Sequence, residues 1–79
     1  MATHPGEVLM EQVLLPSHIS ISQAARQLGV STETLAQVIA GGRPVTASLA
    51  HAFAREFGYS CQWWLALQRS WDEEQRLVA

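Results

Sequence analysis

The sequence predicts an all-α domain of five helices. Apolar residues recur at helical spacing along most of the chain, and helix-breaking residues separate the periodic stretches. No segment alternates apolar and polar residues for long enough to indicate a strand. With 79 residues and a hydrophobic fraction of 48%, the chain fits one globular domain that spans residues 1–79.

The first helix is expected to begin at His4-Pro5-Gly6-Glu7. Proline suits a first helical turn, and an acidic residue there is favoured by the positive end of the helix dipole. Pro16 should end this helix, because a proline pushes the residue before it out of the helical region. The apolar face comprises Val8, Leu9, Val13 and Leu14.

Two short helices follow, at about residues 21–40, with a tight turn between them. Gly29 should stop the second helix in a left-handed conformation, and Ser31 should cap the third. Leu35, Val38 and Ile39 give the third helix one apolar stripe. This spacing is that of a helix-turn-helix, whose second helix enters the DNA major groove.

The rest of the chain predicts two further helices. The segment Gly41-Gly42-Arg43-Pro44 should end the third helix, and Thr46 is a suitable cap for the fourth. Gly58 should end the fourth helix. Ser60 should then cap a fifth, tryptophan-rich helix at about residues 61–76.

If the third helix lies in the major groove, its outward side chains contact bases. Gln37 could pair with adenine, Thr32 with a base edge and Glu33 with cytosine. Phosphate contacts are expected at the start of the second helix and in the loop after the third. The alternatives are an ordinary solvated helix face, simple helix capping and a solvated loop arginine. The full predicted set is Ser22, Gln23, Ser31, Thr32, Glu33, Thr34, Gln37 and Arg43.

The charge balance argues against tight DNA binding by a monomer. The chain has five arginines and no lysine against seven acidic residues, which gives a formal net charge of −2. Phosphate contacts usually dominate DNA affinity. The protein should therefore focus its arginines on one face, bind as a dimer, or bind weakly.

Tryptophan supplies the candidate dimer interface. Tryptophan is enriched at protein interfaces, and the fifth helix carries more aromatic surface than a small monomer should hide completely. The alternative is that this stripe merely closes the core, so we expect it to serve partly as core and partly as dimer contact. The predicted seam comprises Trp63, Trp64, Leu67 and Trp71.

The sequence indicates no enzyme, cofactor or metal site. His4, His18, His51 and Cys61 lack metal-ligand spacing. A nucleophilic pair of Cys61 with His51 is conceivable, but a cysteine in the first turn of an amphipathic helix is more often a small core residue. The single cysteine favours the cytoplasm, as does the lack of a signal-peptide pattern. No apolar run approaches the roughly 20 residues of a membrane span.

Four motifs resemble those of HigA-type antitoxins, which belong to the wider class of phage-repressor and Cro-like helix-turn-helix domains. The similarity runs from about His4 to Asp72, and the combination of the first and last motifs is its most specific part. The resemblance implies a five-helix, phage-repressor-like helix-turn-helix fold and a homodimer. The motifs are His4-Pro5-Gly6-Glu7, Ser22-Gln23-Ala24-Ala25, Leu28-Gly29-Val30-Ser31 and Trp63-Trp64-Leu65-Ala66-Leu67-Gln68.

The resemblance also implies a function. HigA-type antitoxins repress their own operon by binding double-stranded operator DNA, and they neutralise a HigB-type toxin that cleaves messenger RNA on the ribosome. The chain departs from the family where Ala40-Gly41-Gly42-Arg43 replaces a frequent Asn-Gly-Lys or Asn-Gly-Arg, and where Thr32 and Glu33 replace a frequent arginine. The alternative function is a protein-interaction module or stand-alone regulator with weak or no toxin or DNA binding.

Overall fold

This computed structural model describes residues 2–78, which contain five helices and no strand. The first helix, α1, is continuous through three stretches, Pro5–Leu9, Met10–Leu14 and Leu15–Ser17. The all-α class and the helix-turn-helix formed by the next two helices are confirmed. The four helices after α1 are α2, Ile21–Leu28; α3, Thr32–Ile39; α4, Ala47–Phe57; and α5, Cys61–Val78.

The helix boundaries follow from local caps. Ser20 Oγ accepts the Gln23 N–H at 3.0 Å, while Gln23 Oε1 accepts the Ser20 N–H at 2.9 Å, and this capping box starts α2. Gly29 ends α2 in the left-handed region, with φ 78° and ψ 25°. Thr46 and Ser60 accept backbone N–H groups from the first turns of α4 and α5, as their positions predict.

The prediction that Pro16 ends the first helix is wrong. Leu15, immediately before the proline, keeps helical angles of φ −63° and ψ −50°. The preceding turn, Met10–Leu14, is a π-helix in which the Leu15 N–H donates to the Met10 carbonyl. This wider turn admits the proline, which would otherwise clash with the carbonyl of an ordinary α-helical turn. The helix ends instead at His18, whose φ of 57° is left-handed.

The start of α1 lies directly against the end of α3. His4 caps α1 by accepting the Gly6 N–H at Nδ1, 3.0 Å away, and Pro5 occupies the first turn. A Cβ at Gly6 would lie 2.0 Å from the Val38 carbonyl oxygen and 2.8 Å from the Ile39 Cα. Because only a glycine fits there, this contact fixes how closely α1 crosses α3.

The core centres on Phe53 and Trp64. Both are fully buried, with ring centroids 5.0 Å apart in an edge-to-face arrangement. The Trp64 indole N–H donates to the Gly58 carbonyl at 3.2 Å, so this polar atom has a partner. Ala24 and Ala25 are also buried, and their small side chains let α2 approach its neighbours closely. Leu9, Leu14, Leu35 and Val38 complete the fully buried set of large aliphatic residues.

Replacing Gly6 by alanine should destabilise the protein. The new Cβ would overlap the Val38 carbonyl oxygen, and neither backbone can move away unless α1 repacks on α3. We expect the free energy of unfolding to fall by about 1–3 kcal/mol or more, the usual cost of overpacking. Urea denaturation followed by circular dichroism measures this loss.

Gly42→Ala is the matched control. A Cβ at Gly42 would lie 3.6 Å from the Gln37 carbonyl oxygen, which is an ordinary contact, and its φ is outside the left-handed region. This substitution should leave stability unchanged or raise it slightly, because alanine restricts the unfolded chain. Equal destabilisation by the two substitutions would contradict the role assigned to Gly6.

Candidate nucleic-acid interface

α3 presents a polar face to solvent and buries its other face. Leu35 and Val38 are fully buried, whereas Thr32, Glu33 and Gln37 are exposed. The side chains predicted to read bases therefore share one accessible face of a helix that packs against α1 and α2. Their hydroxyl, carboxylate and amide groups offer both donors and acceptors to base edges.

Ser31 and Thr34 fix the start of α3. Ser31 Oγ accepts the Thr34 N–H at 3.0 Å and donates to Thr34 Oγ1 at 2.8 Å. The first bond satisfies a backbone donor at the helix start, and the second holds the two side chains together. Ser31 is exposed and Thr34 is half-buried, so the pair borders the outward face of α3 and orients it.

Gln23 is able to serve both functions considered for the start of α2. Its Oε1 accepts the Ser20 N–H in the capping box, a bond that uses only the acceptor oxygen of the amide. The Nε2 donors of this exposed side chain remain available to a phosphate. Ser22, also exposed in the first turn, adds a hydroxyl. Capping and phosphate contact are therefore compatible at this helix end.

Arg43 lies on the loop between α3 and α4, and α5 holds this loop in place. The Val45 N–H donates to Gln68 Oε1 at 2.7 Å, and Gln68 Nε2 donates to Asp72 Oδ1 at 2.9 Å. Gln68 is only 6% exposed, so a buried amide anchors the loop. Within residues 2–78 the one ion pair lies at the end of α4, which leaves the exposed Arg43 guanidinium free to contact a phosphate.

A cavity of about 330 Å³ brings part of this surface together. It lies where the start of α3 meets the loop and the start of α4, and it is lined by Thr34, Arg43 and Ser48 above an apolar floor that includes Leu28 and Leu49. Ser48, which lines this cavity, was not among the predicted site residues. Its position could have suggested a phosphate contact, because Ser48 lies in the first turn of α4 and helix N-termini bind phosphates.

The other polar residues do not form a metal site in the described part of the chain. There, no group of three or more histidine, cysteine, aspartate or glutamate side chains is placed to hold a metal ion. Cys61 is half-buried against the core, whereas His51 is exposed. None of the helices between residues 2 and 78 has the length and apolarity needed to cross a bilayer.

Comparison with known proteins assigns the chain to a family. Residues 10–64, more than half of the chain, match the family described as helix-turn-helix. The chain belongs to the helix-turn-helix family. It is 37% identical over 71 residues to virulence-associated protein I of Dichelobacter nodosus, and the alignment covers 90% of this chain but only 66% of that protein's length.

Solved structures within the helix-turn-helix class share the whole fold. The antitoxin HigA of Pseudomonas aeruginosa with the higBA promoter superposes with a TM-score of 0.94 at 31% identity, covering 99% of this chain and 85% of that one. A HigA-family addiction module antidote protein from Coxiella burnetii gives 0.91 at 33% identity, covering 99% and 86%. The resemblance to HigA-type antitoxins and Cro-like repressors seen in the motifs is thereby confirmed.

The tryptophans of this helix-turn-helix protein occupy three different environments. Trp64 is 0% exposed, so it has no surface to offer a second copy, and the predicted dimer seam must exclude it. Trp71 is half-buried, and its ring meets the His4 ring edge-to-face with centroids 5.3 Å apart. Trp63 is half-buried and stacks with Tyr59 at 4.1 Å between centroids. Helical spacing predicts the side of α5 on which each lies, but the depth of burial depends on the neighbouring helices.

The burial of His4 should make stability depend on pH. Removal from water lowers the pKa of His4 below its ordinary value of 6.5, against the opposing effects of Asp72, the Arg43 backbone and Glu7. The neutral ring also accepts the Gly6 N–H at Nδ1, which a protonated ring cannot do. Because the unfolded chain binds the proton more readily, this contribution is complete above pH 6.5 and is lost as the pH falls towards the lowered folded pKa.

Urea denaturation at a series of pH values tests this role. Below pH 6.5 the native sequence should lose stability more steeply than His4→Asn, because asparagine keeps a capping side chain but does not titrate. His51→Asn, which alters an exposed histidine, should keep the native slope and serves as the control. Identical slopes for His4→Asn and the native chain would show that His4 does not carry the effect.

Proposed function

We propose that this protein is a dimeric repressor that acts in the cytoplasm, binds the operator DNA of its own operon and neutralises a HigB-type toxin. The observation that carries the proposal is the exposed polar face of α3, formed by Thr32, Glu33 and Gln37. Its support is the fold, which is that of a HigA antitoxin solved with its promoter.

Base recognition falls to the outward face of α3. Gln37 pairs with adenine through its amide, Glu33 accepts from cytosine N4, and Thr32 donates to or accepts from a base edge. Each well-placed bidentate pair discriminates against a wrong base by about 1–3 kcal/mol. Ser31 and Thr34 contribute by holding the first turn of α3 in place.

Phosphate contacts flank α3 on two sides. Ser22 and Gln23 lie at the start of α2, and Arg43 lies on the loop that follows α3 with Ser48 beside it. Backbone contacts of this kind fix the register and orientation of a reading helix without specifying sequence. Arg43 is the charged member of the set, so it should dominate the salt dependence of binding.

A second copy would pack against the Trp63 end of α5. Tyr59 is 55% exposed, has a left-handed φ of 63° that is unfavourable for a tyrosine, and stacks on Trp63. Leu67, also half-buried, follows one turn later. Covering these side chains would remove apolar surface from water. Two-fold pairing must place the two α3 helices about 34 Å apart, which is one turn of DNA.

Because the chain is acidic, its affinity for the operator should depend on the toxin. A net charge of −2 limits the number of phosphates that the antitoxin can neutralise. A toxin that acts on RNA is expected to be basic, so the complex should bind the operator more tightly until excess toxin disturbs the stoichiometry. Operator titrations with and without toxin, at fixed salt, test this expectation. If added toxin never tightens operator binding, the explanation from charge is wrong.

Gln37→Ala should reduce sequence preference. Loss of one bidentate contact should weaken binding to the operator by about 1–3 kcal/mol and change binding to random DNA little. Fluorescence anisotropy with the promoter of the chain's own operon and with a shuffled duplex measures both. Equal losses on the two duplexes would contradict base reading by Gln37, and weak, salt-insensitive binding by the native chain would favour the protein-interaction module.

Arg43→Ala provides the contrast to Gln37→Ala in the same assay. It should weaken binding to both duplexes alike, because it removes a phosphate contact rather than a base contact. It should also flatten the slope of log affinity against log salt by about one unit per subunit. An unchanged slope would show that the Arg43 side chain remains in solvent.

Trp63→Ala should shift the protein from dimer towards monomer in sedimentation experiments. The substitution removes aromatic surface beneath the exposed Tyr59 ring while leaving the buried Trp64 in the core. Operator affinity should fall in parallel, because the second half-site is then no longer engaged within one complex. Trp71→Phe, at the other end of the seam, is the control; a dimer weakened only by that substitution would place the interface there.

A further inference from the structure

Two adjoining cavities flank Trp71 where the start of α1, the end of α3 and the side of α5 meet. They measure about 390 Å³ and 210 Å³, and His4, Gly41 and Trp71 line both. The larger one is called the Trp71 notch here, and Glu7, Ile39 and Ala40 complete its lining. None of the residues that line the notch takes part in the base and phosphate contacts proposed above.

The notch combines hydrogen-bond acceptors with an aromatic ring. Glu7 is exposed, and its carboxylate makes no ion pair within residues 2–78. The backbone N–H groups that close the end of α3 donate to carbonyls before Ile39, so the Ile39 and Ala40 carbonyls receive none of these bonds. Free carbonyls at a helix C-terminus carry the negative end of its dipole. Trp71 adds a half-buried indole.

The surroundings of the notch add to its negative character. Asp72 lines the adjoining smaller cavity, where Gln68 Nε2 donates to its Oδ1. Glu74, further along α5, accepts the Ala2 N–H and brings a third carboxylate to this end of the molecule. Arg43 lines the smaller cavity but not the notch. The notch therefore suits a cation better than an anion.

We propose that the Trp71 notch binds an arginine side chain of a basic protein partner. A guanidinium is planar, so it stacks on an indole while its N–H groups donate to the Glu7 carboxylate and to the carbonyls at the end of α3. An ammonium group has no plane to stack and fits less well. The partner is the basic, RNA-directed toxin of the proposed function, on which this inference rests.

The notch, the proposed dimer contact and the base-facing side chains occupy different parts of the surface. Trp63 lies eight residues before Trp71 on α5, about 12 Å along the helix axis, so the proposed dimer contact is at the other end of the exposed aromatic surface. The base-facing side chains, Thr32, Glu33 and Gln37, belong to the exposed face of α3 rather than to the lining of the notch.

Binding of amide-capped arginine to the full chain tests the notch directly. N-acetyl-arginine amide should shift the Trp71 indole N–H resonance in NMR spectra, whereas the uncharged isostere N-acetyl-citrulline amide should not; loss of the signal in Trp71→Phe assigns it. Glu7→Gln should weaken arginine binding by up to about fivefold, the worth of one exposed ion pair. Glu11→Gln, which removes the same charge elsewhere on α1, should leave it unchanged. Equal shifts with citrulline, or equal weakening by both substitutions, would overturn the proposal.

A second measurement separates the notch from the proposed function. The full chain is co-purified with the toxin encoded beside it, and dissociation of the complex is compared for the native chain, Glu7→Gln and Glu11→Gln. Faster dissociation with Glu7→Gln alone supports the proposal, and a complex indifferent to Glu7→Gln overturns it while leaving the antitoxin function intact. If the native chain binds neither toxin nor operator, the proposed function fails, and with it the identity of the partner, although arginine binding still reports on the notch itself.

Discussion

The contact between Gly6 and the last turn of α3 is the constraint on which the rest of the structure depends. A Cβ at Gly6 would meet the Val38 carbonyl oxygen, so α1 and α3 cross at backbone distance. His4 can then cap α1 while its ring meets Trp71 on α5, and the first turn of α1 thus joins α3 to α5. The orientation of the proposed base contacts is therefore set by a residue that has no side chain.

Much of the fold could be predicted because the signals that start and stop helices are local. Ser20 and Gly29 act within one turn of themselves, so the sequence is sufficient to read their effect. Pro16 was misread because its clash is with the preceding turn, and that turn widens into a π-helix while Leu14 remains fully buried in the core. The close approach at Gly6 left no local signal, since the atoms that exclude a side chain belong to another helix.

The candidate site was also predictable only where its features depend on local sequence. Helical periodicity predicted which side chains of α3 face outward, and Gln37 is exposed as expected. Periodicity could not show that Trp64 is sealed in the core while Trp71 remains accessible, because depth depends on what packs above each residue. The support of the Arg43 loop was equally hidden, since the bond to Gln68 joins positions 23 residues apart.

The buried Gln68 amide also has a consequence for the entropy of the proposed phosphate contact at Arg43. Fixing the backbone of one flexible residue costs roughly 1–2 kcal/mol. If the loop were flexible, each residue that became ordered on phosphate contact would therefore weaken DNA binding. Here the Val45 end of the loop is already immobilised when the protein folds. In the proposed phosphate contact, ordering then falls mainly on the Arg43 side chain, at about 0.5–1.5 kcal/mol. A chain with few cations thereby retains more of the attraction that each one provides.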